Sequence, residues 1–424
     1  MIDFTFDLYQ DPYLPLDATD VDALVTITGT GNDLGTSGSE HALVIIVDAS
    51  GSMGYPSKKL VEAKRAAVKV IAALREGTSF ALIAGTAAAR QIYPESGLAV
   101  ASPPTVQAAT AAICKLAADG GTAIGRWLTL TNTLLSRSPA TIRQAILLTD
   151  GKNESEPAEA FRQALHDCEG NFRCDCRGIG EGWVADELTA IASTLLGTAL
   201  DIPRLEQLEE DFLAITREAA SRQVAETSLR VWLPYRARLR QLRQVHPTID
   251  DLTDRGKPVD GSTTAFPAGS WGQEVREYQI GIGGLDPVAE DKPSRAGRVD
   301  LVRGDVVLAS KHILAHWTDD YSLYTQTSRT LAKSKGQTEL GEAINAGVRA
   351  LRSGDLSAAL DHLERAVRLA HAAGDERKLD LLRTLVIFED AARGAVVLRS
   401  DLHDYEAQVA LLRSAWTRGV ERDE

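Results

Sequence analysis

At 424 residues the chain is too long for one ordinary domain and reads as two or three. It has 44% hydrophobic and 25% charged residues, the balance of a soluble globular protein, and no stretch approaches the apolar run of about 20 residues that a membrane span needs. A formal net charge of −13 repels phosphate backbones and sets nucleic acid aside as a partner.

The N-terminus, MIDFTFDLYQDPYLPLD, has acidic residues early and no basic region followed by an apolar core. It does not read as a signal peptide, so the cytoplasm is the expected location. Residues 1–38 hold two alternating segments, IDFTFDLYQ and VDALVTITGTG, that predict strands, followed by the polar, Gly-rich linker NDLGTSGSE. From His41 the pattern changes. ALVIIVDAS is a continuous apolar run ending in polar residues, as in a strand covered on both faces of a parallel sheet. A helix follows, with Leu60, Ala63, Ala67, Ile71 and Leu74 on one face, and then the strand TSFALIAG, against which ARQIYP can fold back. TVQAATAAICKLA and AIGRWLTLTNTLL predict helices, RQAILLTDG a buried strand, and PAEAFRQALHDCEG a helix. FRCDCRGIG (strand), VADELTAIASTLLG (helix), TALDIPRL (strand) and LEEDFLAITREAASRQ (helix) complete the series. Strands alternating with helices over residues 40–222 describe a doubly wound, mostly parallel α/β sheet.

The alternation stops near Val224. Residues 224–327 are β-rich and separated by polar or Pro/Gly loops, which suggests an antiparallel sandwich. An isolated hairpin is barely stable, so residues 1–38 are expected to complete this β-domain, with the α/β domain inserted between its pieces. Residues 328–424 turn helical, with about four helices expected, ERKLDLLRTLVIFEDAARG among them. DLSAALDHLERAVRLAHAAG resembles one tetratricopeptide-type hairpin, but a single repeat cannot bury its own face and no second clear copy follows. A C-terminal helical bundle is the expectation.

Most candidate sites are weak. Of Cys114, Cys168, Cys174 and Cys176, three lie in DCEGNFRCDCRG, with C-x5-C-x-C spacing and without the paired C-x2-C knuckles of a zinc site. Phe172, Cys174 and Cys176 alternate with charged residues, which points to a strand with one buried face and free core thiols. His312 and His316 lack the Glu of H-E-x-x-H and fall in a predicted strand; GIGEGW lacks G-x-G-x-x-G, and no phosphate-binding G-x-x-x-x-G-K-[ST] occurs. Ser50 has neither a nearby His nor a nucleophile elbow. Trp232, Trp271 and Trp317 are read as core anchors.

One constellation is stronger. Asp48, Ser50 and Ser52 put three oxygen-bearing side chains on a loop that follows a buried strand and precedes a helix, the edge where ligands collect in open α/β sheets. Thr122 stands after two glycines in DGGTAIG, and Asp150 ends the strand in AILLTDGKN; both carboxylates are expected at exposed strand ends. Oxygen donors with few charges suit a hard cation such as Mg²⁺. The motifs D-x-S-G-S, GGT and TDG, in that order, resemble the von Willebrand factor A domain over residues 40–222. The resemblance implies a metal-ion-dependent adhesion site holding Mg²⁺, or Mn²⁺ or Ca²⁺. Ser50 and Ser52 would bind the ion directly, Asp48 and Asp150 mostly through water, and Thr122 in either way. It also implies a protein partner that offers an Asp or Glu, of the AAA-type ATPase or signalling kind, in a non-enzymatic adaptor. The alternatives are a metal-dependent hydrolase and a metal-independent scaffold.

Overall fold

A computed structural model describes residues 2–31, 41–56, 58–287 and 292–419. The predicted linker NDLGTSGSE lies outside them. The chain divides into two compact units, one of residues 32–225 and one of residues 2–31 with 226–424.

The N-terminal strands are β1 (Asp3–Gln10), β2 (Tyr13–Leu14) and β3 (Val21–Thr30). The first unit then runs β4 (His41–Asp48), α1 (Lys58–Ala73), β5 (Ser79–Gly85), β6 (Ala89–Tyr93), β7 (Ala99–Val100), α2 (Pro103–Cys114) and α3 (Ile124–Ser136). It continues with β8 (Ile142–Thr149), α4 (Ala158–Cys168), β9 (Arg173–Ile179), α5 (Ala185–Thr194), β10 (Ala199–Ile202) and α6 (Leu208–Ser221). Its sheet has the order β10-β9-β8-β4-β5-β6, with β7 beside β5. The pairs β10–β9, β9–β8, β8–β4 and β4–β5 are parallel, whereas β6 and β7 run antiparallel to β5.

Every residue of β4 is buried, as its unbroken apolar run requires. Leu43, Ile45 and Val47 pack with Ala67 and Ile71 of α1, Ile113 of α2 and Phe212 of α6. On the far side, α3 contacts β4 and packs on α4, which in turn packs on α5. From β4 the chain passes to β5 on one side and later reaches β8 on the other, so the strand order reverses between β4 and β8. That reversal opens a crevice beyond the carboxyl ends of these two strands.

Strand β9 differs from the one-faced strand expected. Cys174 and Cys176 are buried with their sulfurs 3.9 Å apart, but Asp175 and Arg177 between and beyond them are buried too. Helices cover both faces of this sheet, so the intervening charges are satisfied by pairing and not by water. Asp175 accepts from Gln144 Nε2 (2.6 Å), from the Thr198 hydroxyl (2.8 Å) and amide (2.9 Å), and from Arg173 (3.2 Å). Burial alone would raise its carboxyl, but the Arg173, Arg222 and Arg177 guanidiniums and Thr198 outweigh burial and hold it well below the usual carboxylate range. All four cysteines are free; Cys114 is exposed and the others buried. Burial, with the Asp167 charge adding to it, pushes the Cys168 thiol up to about 12, which suppresses the reactive thiolate.

The second unit adds β11 (Val224–Trp232), β12 (Arg238–His246), β13 (Asp250–Asp251), β14 (Lys257–Pro258), β15 (Thr263–Trp271), β16 (Val275–Gly283), β17 (Pro293–Arg303) and β18 (Val306–Trp317). One sheet has the order β1-β3-β16-β12-β13 and the other β14-β15-β11-β17-β18-β2. β3 pairs antiparallel with β16 in the register Val25↔Tyr278. Phe4 meets Trp271 edge-on, with ring centroids 5.6 Å apart, and Arg276 stacks over the same indole at 4.2 Å. Trp271 and Trp317 are fully buried, and the Trp317 indole donates to Ala18 O. His312 and His316 lie in β18, where His316 packs on Tyr13.

After the short α7 (Tyr321–Tyr324) come α8 (Arg329–Ser353), α9 (Leu356–Ala373) and α10 (Glu376–Arg383). The chain ends with β19 (Val386–Asp390), β20 (Ala395–Leu398) and α11 (Asp404–Ser414). α8 lies against β1 and β3, and its Ser334 and Thr338 hydroxyls accept from buried Gln279 of β16. The helix expected over residues 376–394 is corrected here. It stops at Arg383, and the remainder is a hairpin. Val386, Ile387 and Phe388 are branched or aromatic and favour a strand. Gly394 supplies the left-handed turn residue, at φ +76°.

Candidate metal centre

Asp48 is the last residue of β4, and Asp150 directly follows β8, the neighbouring parallel strand. Their carboxyl ends therefore meet at the crevice where the strand order reverses. Ser50 and Ser52 sit on the loop that turns from β4 toward α1, which is pinned beneath by buried Met53. Thr122 lies two residues ahead of α3. Two backbone hydrogen bonds strap its loop to the first one: Gly51 N–H to Gly120 O (2.8 Å) and Asp119 N–H to Ala49 O (2.7 Å).

The five residues converge. The Ser50 and Ser52 hydroxyls are 3.0 Å apart, and Ser52 Oγ donates to Asp150 Oδ1 at 2.7 Å. Asp48 Oδ1 accepts the Ser50 amide (2.8 Å), and its Oδ2 accepts the Thr149 hydroxyl (2.5 Å). A methyl group built on Gly151 would stand 3.1 Å from Thr122 Oγ1, 3.5 Å from Ser52 Oγ and 3.9 Å from Asp48 Oδ2. Gly151 thus keeps open a space ringed by site oxygens, and a larger residue there would fill it.

The carboxylates are not at exposed positions, as their strand-end location suggested. Asp48 and Asp150 are 0% and 1% exposed, while Ser52 is exposed. Adjoining loops cover the strand ends, and Ser50 and Thr122 are buried with them, which leaves Ser52 as the open side. Burial pushes the Asp48 carboxyl up; hydrogen bonds from Ser50 and Thr149 oppose that, and the Asp150 charge adds to it. Asp150 has one further partner, Lys59 of α1, whose Nζ is 2.7 Å from Oδ2.

Several residues of the site carried no signal in sequence. Thr149 orients Asp48 and was visible only as part of TDG. Ser155 holds Thr122: the Thr122 amide donates to Ser155 Oγ (3.1 Å) and the Ser155 amide to Thr122 O (2.8 Å). Asn153 and Glu156 accept the first amides of α3, from Ile124 (2.7 Å) and Gly125 (2.6 Å). These caps satisfy donors that the helix itself leaves free and fix where Thr122 sits. All four contacts are tertiary, so no local spacing announces them.

The donor set suits a hard divalent cation: three hydroxyls and two carboxylates, with no sulfur or imidazole among them. Among the described residues no group of three or more His, Cys, Asp or Glu is placed to hold a metal. A site built mainly from hydroxyls falls outside that pattern, since it offers only two such residues.

The sequence matches the family model described as the von Willebrand factor type A domain over residues 41–201. It is 37% identical to a solved structure described as von Willebrand factor type A from Catenulispora acidiphila, covering 100% of this chain and 98% of that one with a TM-score of 0.92. A second structure, the ArnB paralog VWA2 from Sulfolobus acidocaldarius, shares the fold at 12% identity, with 98% of each chain covered and a TM-score of 0.59. No curated protein matches the chain. With its α/β unit covered by that model and a relative alike along its whole length, the chain belongs to the von Willebrand factor type A domain family.

Proposed function

We propose that this protein is a metal-dependent protein-binding adaptor, not an enzyme, in which Asp48, Ser50, Ser52, Thr122 and Asp150 hold Mg²⁺ as an intact metal-ion-dependent adhesion site. Mn²⁺ and Ca²⁺ are the alternatives. The observation that carries the reading is the convergence of those five side chains around Gly151 at the crevice between β4 and β8. Family members are in general protein-interaction modules. On this reading the second unit, a β-sandwich followed by the C-terminal helical region, is the scaffold.

A divalent ion at this position supplies concentrated positive charge for an Asp or Glu offered by another protein. The chain's residues set how much of that charge is left over. Ser50, Ser52 and Thr122 are neutral donors, and each carboxylate oxygen of Asp48 and Asp150 already accepts a hydrogen bond from within the chain. Buried strand ends limit the screening that water would give. The partner class follows: a protein with an exposed acidic side chain, of the AAA-type ATPase or signalling kind, in the cytoplasm, and neither nucleic acid nor membrane. Among the described residues no helix is long and apolar enough to cross a membrane.

A pull-down with the full chain in Mg²⁺ and again in EDTA tests this. Proteins retained in Mg²⁺ should be released by EDTA, return when Mg²⁺ is restored, and be lost with Thr122→Ala. The same proteins retained in both buffers and by the variant would exclude the reading.

A further inference from the structure

Lys59 is not among the five residues above, yet its ammonium lies 2.7 Å from Asp150 Oδ2. Its neighbour Lys58 pairs with Glu206 at the surface, with both side chains more than half exposed. The Lys59–Asp150 pair is enclosed, its side chains 16% and 0% exposed. A pair this far from water interacts more strongly than a surface pair and is less screened by salt.

The position of Lys59 is built and not incidental. The glycine-rich turn Gly180–Gly182 after β9 closes over it. Gly180 sits at φ +66°, and a methyl group there would stand 2.9 Å from Lys59 Cε and 3.1 Å from Nζ. One on Gly182 would stand 2.4 Å from Asp150 O. The loop is anchored by Trp183, whose buried indole donates to Gly180 O at 2.9 Å. Gly180 and Gly182 of GIGEGW therefore serve close approach to Lys59 and Asp150, and Gly178 close approach to the Trp183 indole, roles unrelated to nucleotide binding.

We infer that Lys59 is a positioning residue that keeps Asp150 out of direct ligation and weakens the site's hold on the cation, leaving the ion's charge for the partner. This rests on the metal reading above. Asp150 Oδ1 is taken by Ser52 and Oδ2 by Lys59. Each oxygen keeps a second lone pair, but the ammonium on Oδ2 competes with a cation for that oxygen's charge and disfavours direct ligation there. The ammonium also offsets one of the two negative charges contributed by Asp48 and Asp150, and it repels a divalent ion. Without Lys59, Oδ2 is released and the site gains a full negative charge.

Calorimetric titration with Mn²⁺ of the full-length protein, Lys59→Met, Lys59→Gln and Lys59→Arg tests the inference, with melting curves as the check on folding. Lys59→Met and Lys59→Gln should bind Mn²⁺ roughly ten- to three-hundredfold more tightly than the unaltered protein, the span a unit charge about 5 Å from a divalent ion gives at effective dielectrics between that of water and about half of it. Added salt should narrow the gap. Lys59→Arg, which keeps the charge, should stay near the original affinity; a purely structural role for Lys59 would produce neither the tightening nor this rescue. Unaltered protein that binds Mn²⁺ while folded Lys59→Met and Lys59→Gln bind no more tightly would overturn the role of Lys59 alone. Absence of Mn²⁺ binding in every form would overturn the metal reading and this inference with it.

Discussion

Asp175→Ala should destabilise the first unit by about 3–5 kcal/mol, the usual cost of removing one partner from a buried ion pair. Asp175 is 2% exposed and sits on β9 among three guanidiniums, of Arg173, Arg177 and Arg222. Its loss also strands the Gln144 amide, which donates to Asp175 Oδ2 while its carbonyl accepts from Arg222 Nη1 (3.0 Å). Positive charge would then remain buried beside β8 and β9, the strands that carry Asp150 and the loop over Lys59. Urea unfolding at pH 7 checks this through the midpoint at constant slope; a shift worth under about 1 kcal/mol would be too small for a buried pair and would contradict it.

The same group gives a pH dependence of defined sign. Its carboxyl titrates at about 3.9 in an unfolded chain and well below that in the fold. Its contribution is therefore complete above the unfolded value and is lost as pH falls toward the folded one. Asp175→Asn should flatten the acid limb of the stability curve as well as lower it.

Asp48→Asn should lower Mn²⁺ affinity roughly 10- to 100-fold, the range found when an outer-sphere partner of a metal is removed. The amide keeps the carboxylate's shape but not its charge. It also keeps one oxygen acceptor for the Ser50 amide or the Thr149 hydroxyl, so the loop should stay folded. Asn is a better probe than Ala here, because the position is buried and a cavity would confuse lost charge with lost packing. Calorimetry that finds unchanged Mn²⁺ affinity in a variant with an unchanged melting temperature would remove Asp48 from the site.

How much of this was legible depends on how local the cause is. The apolar run of β4 and the alternation through β10 follow from periodicity, and the sheet of the first unit has that order of elements. D-x-S-G-S, GGT and TDG could be set at strand ends because polar residues closing a buried strand have few other places to go. Chain-distant contacts left no such trace. Thr149 and Ser155 were unremarkable letters, and Lys59 was one of six basic residues between Lys58 and Arg75. The burial of Asp48 and Asp150 depends on loops from elsewhere in the chain. Over residues 376–394 the apolar spacing across the Thr384–Phe388 region satisfies either period, and only the branched and aromatic Val386, Ile387 and Phe388 decide for the strand.

Crystals of the full chain soaked in Mn²⁺, with diffraction collected at the manganese absorption edge, test the central claim most directly. One anomalous peak is expected beside Gly151, bounded by Ser50 Oγ, Ser52 Oγ and Thr122 Oγ1, and it should vanish in Asp48→Asn crystals soaked at the same concentration. No peak at that position, or a peak only at some other group of residues, would contradict the assignment.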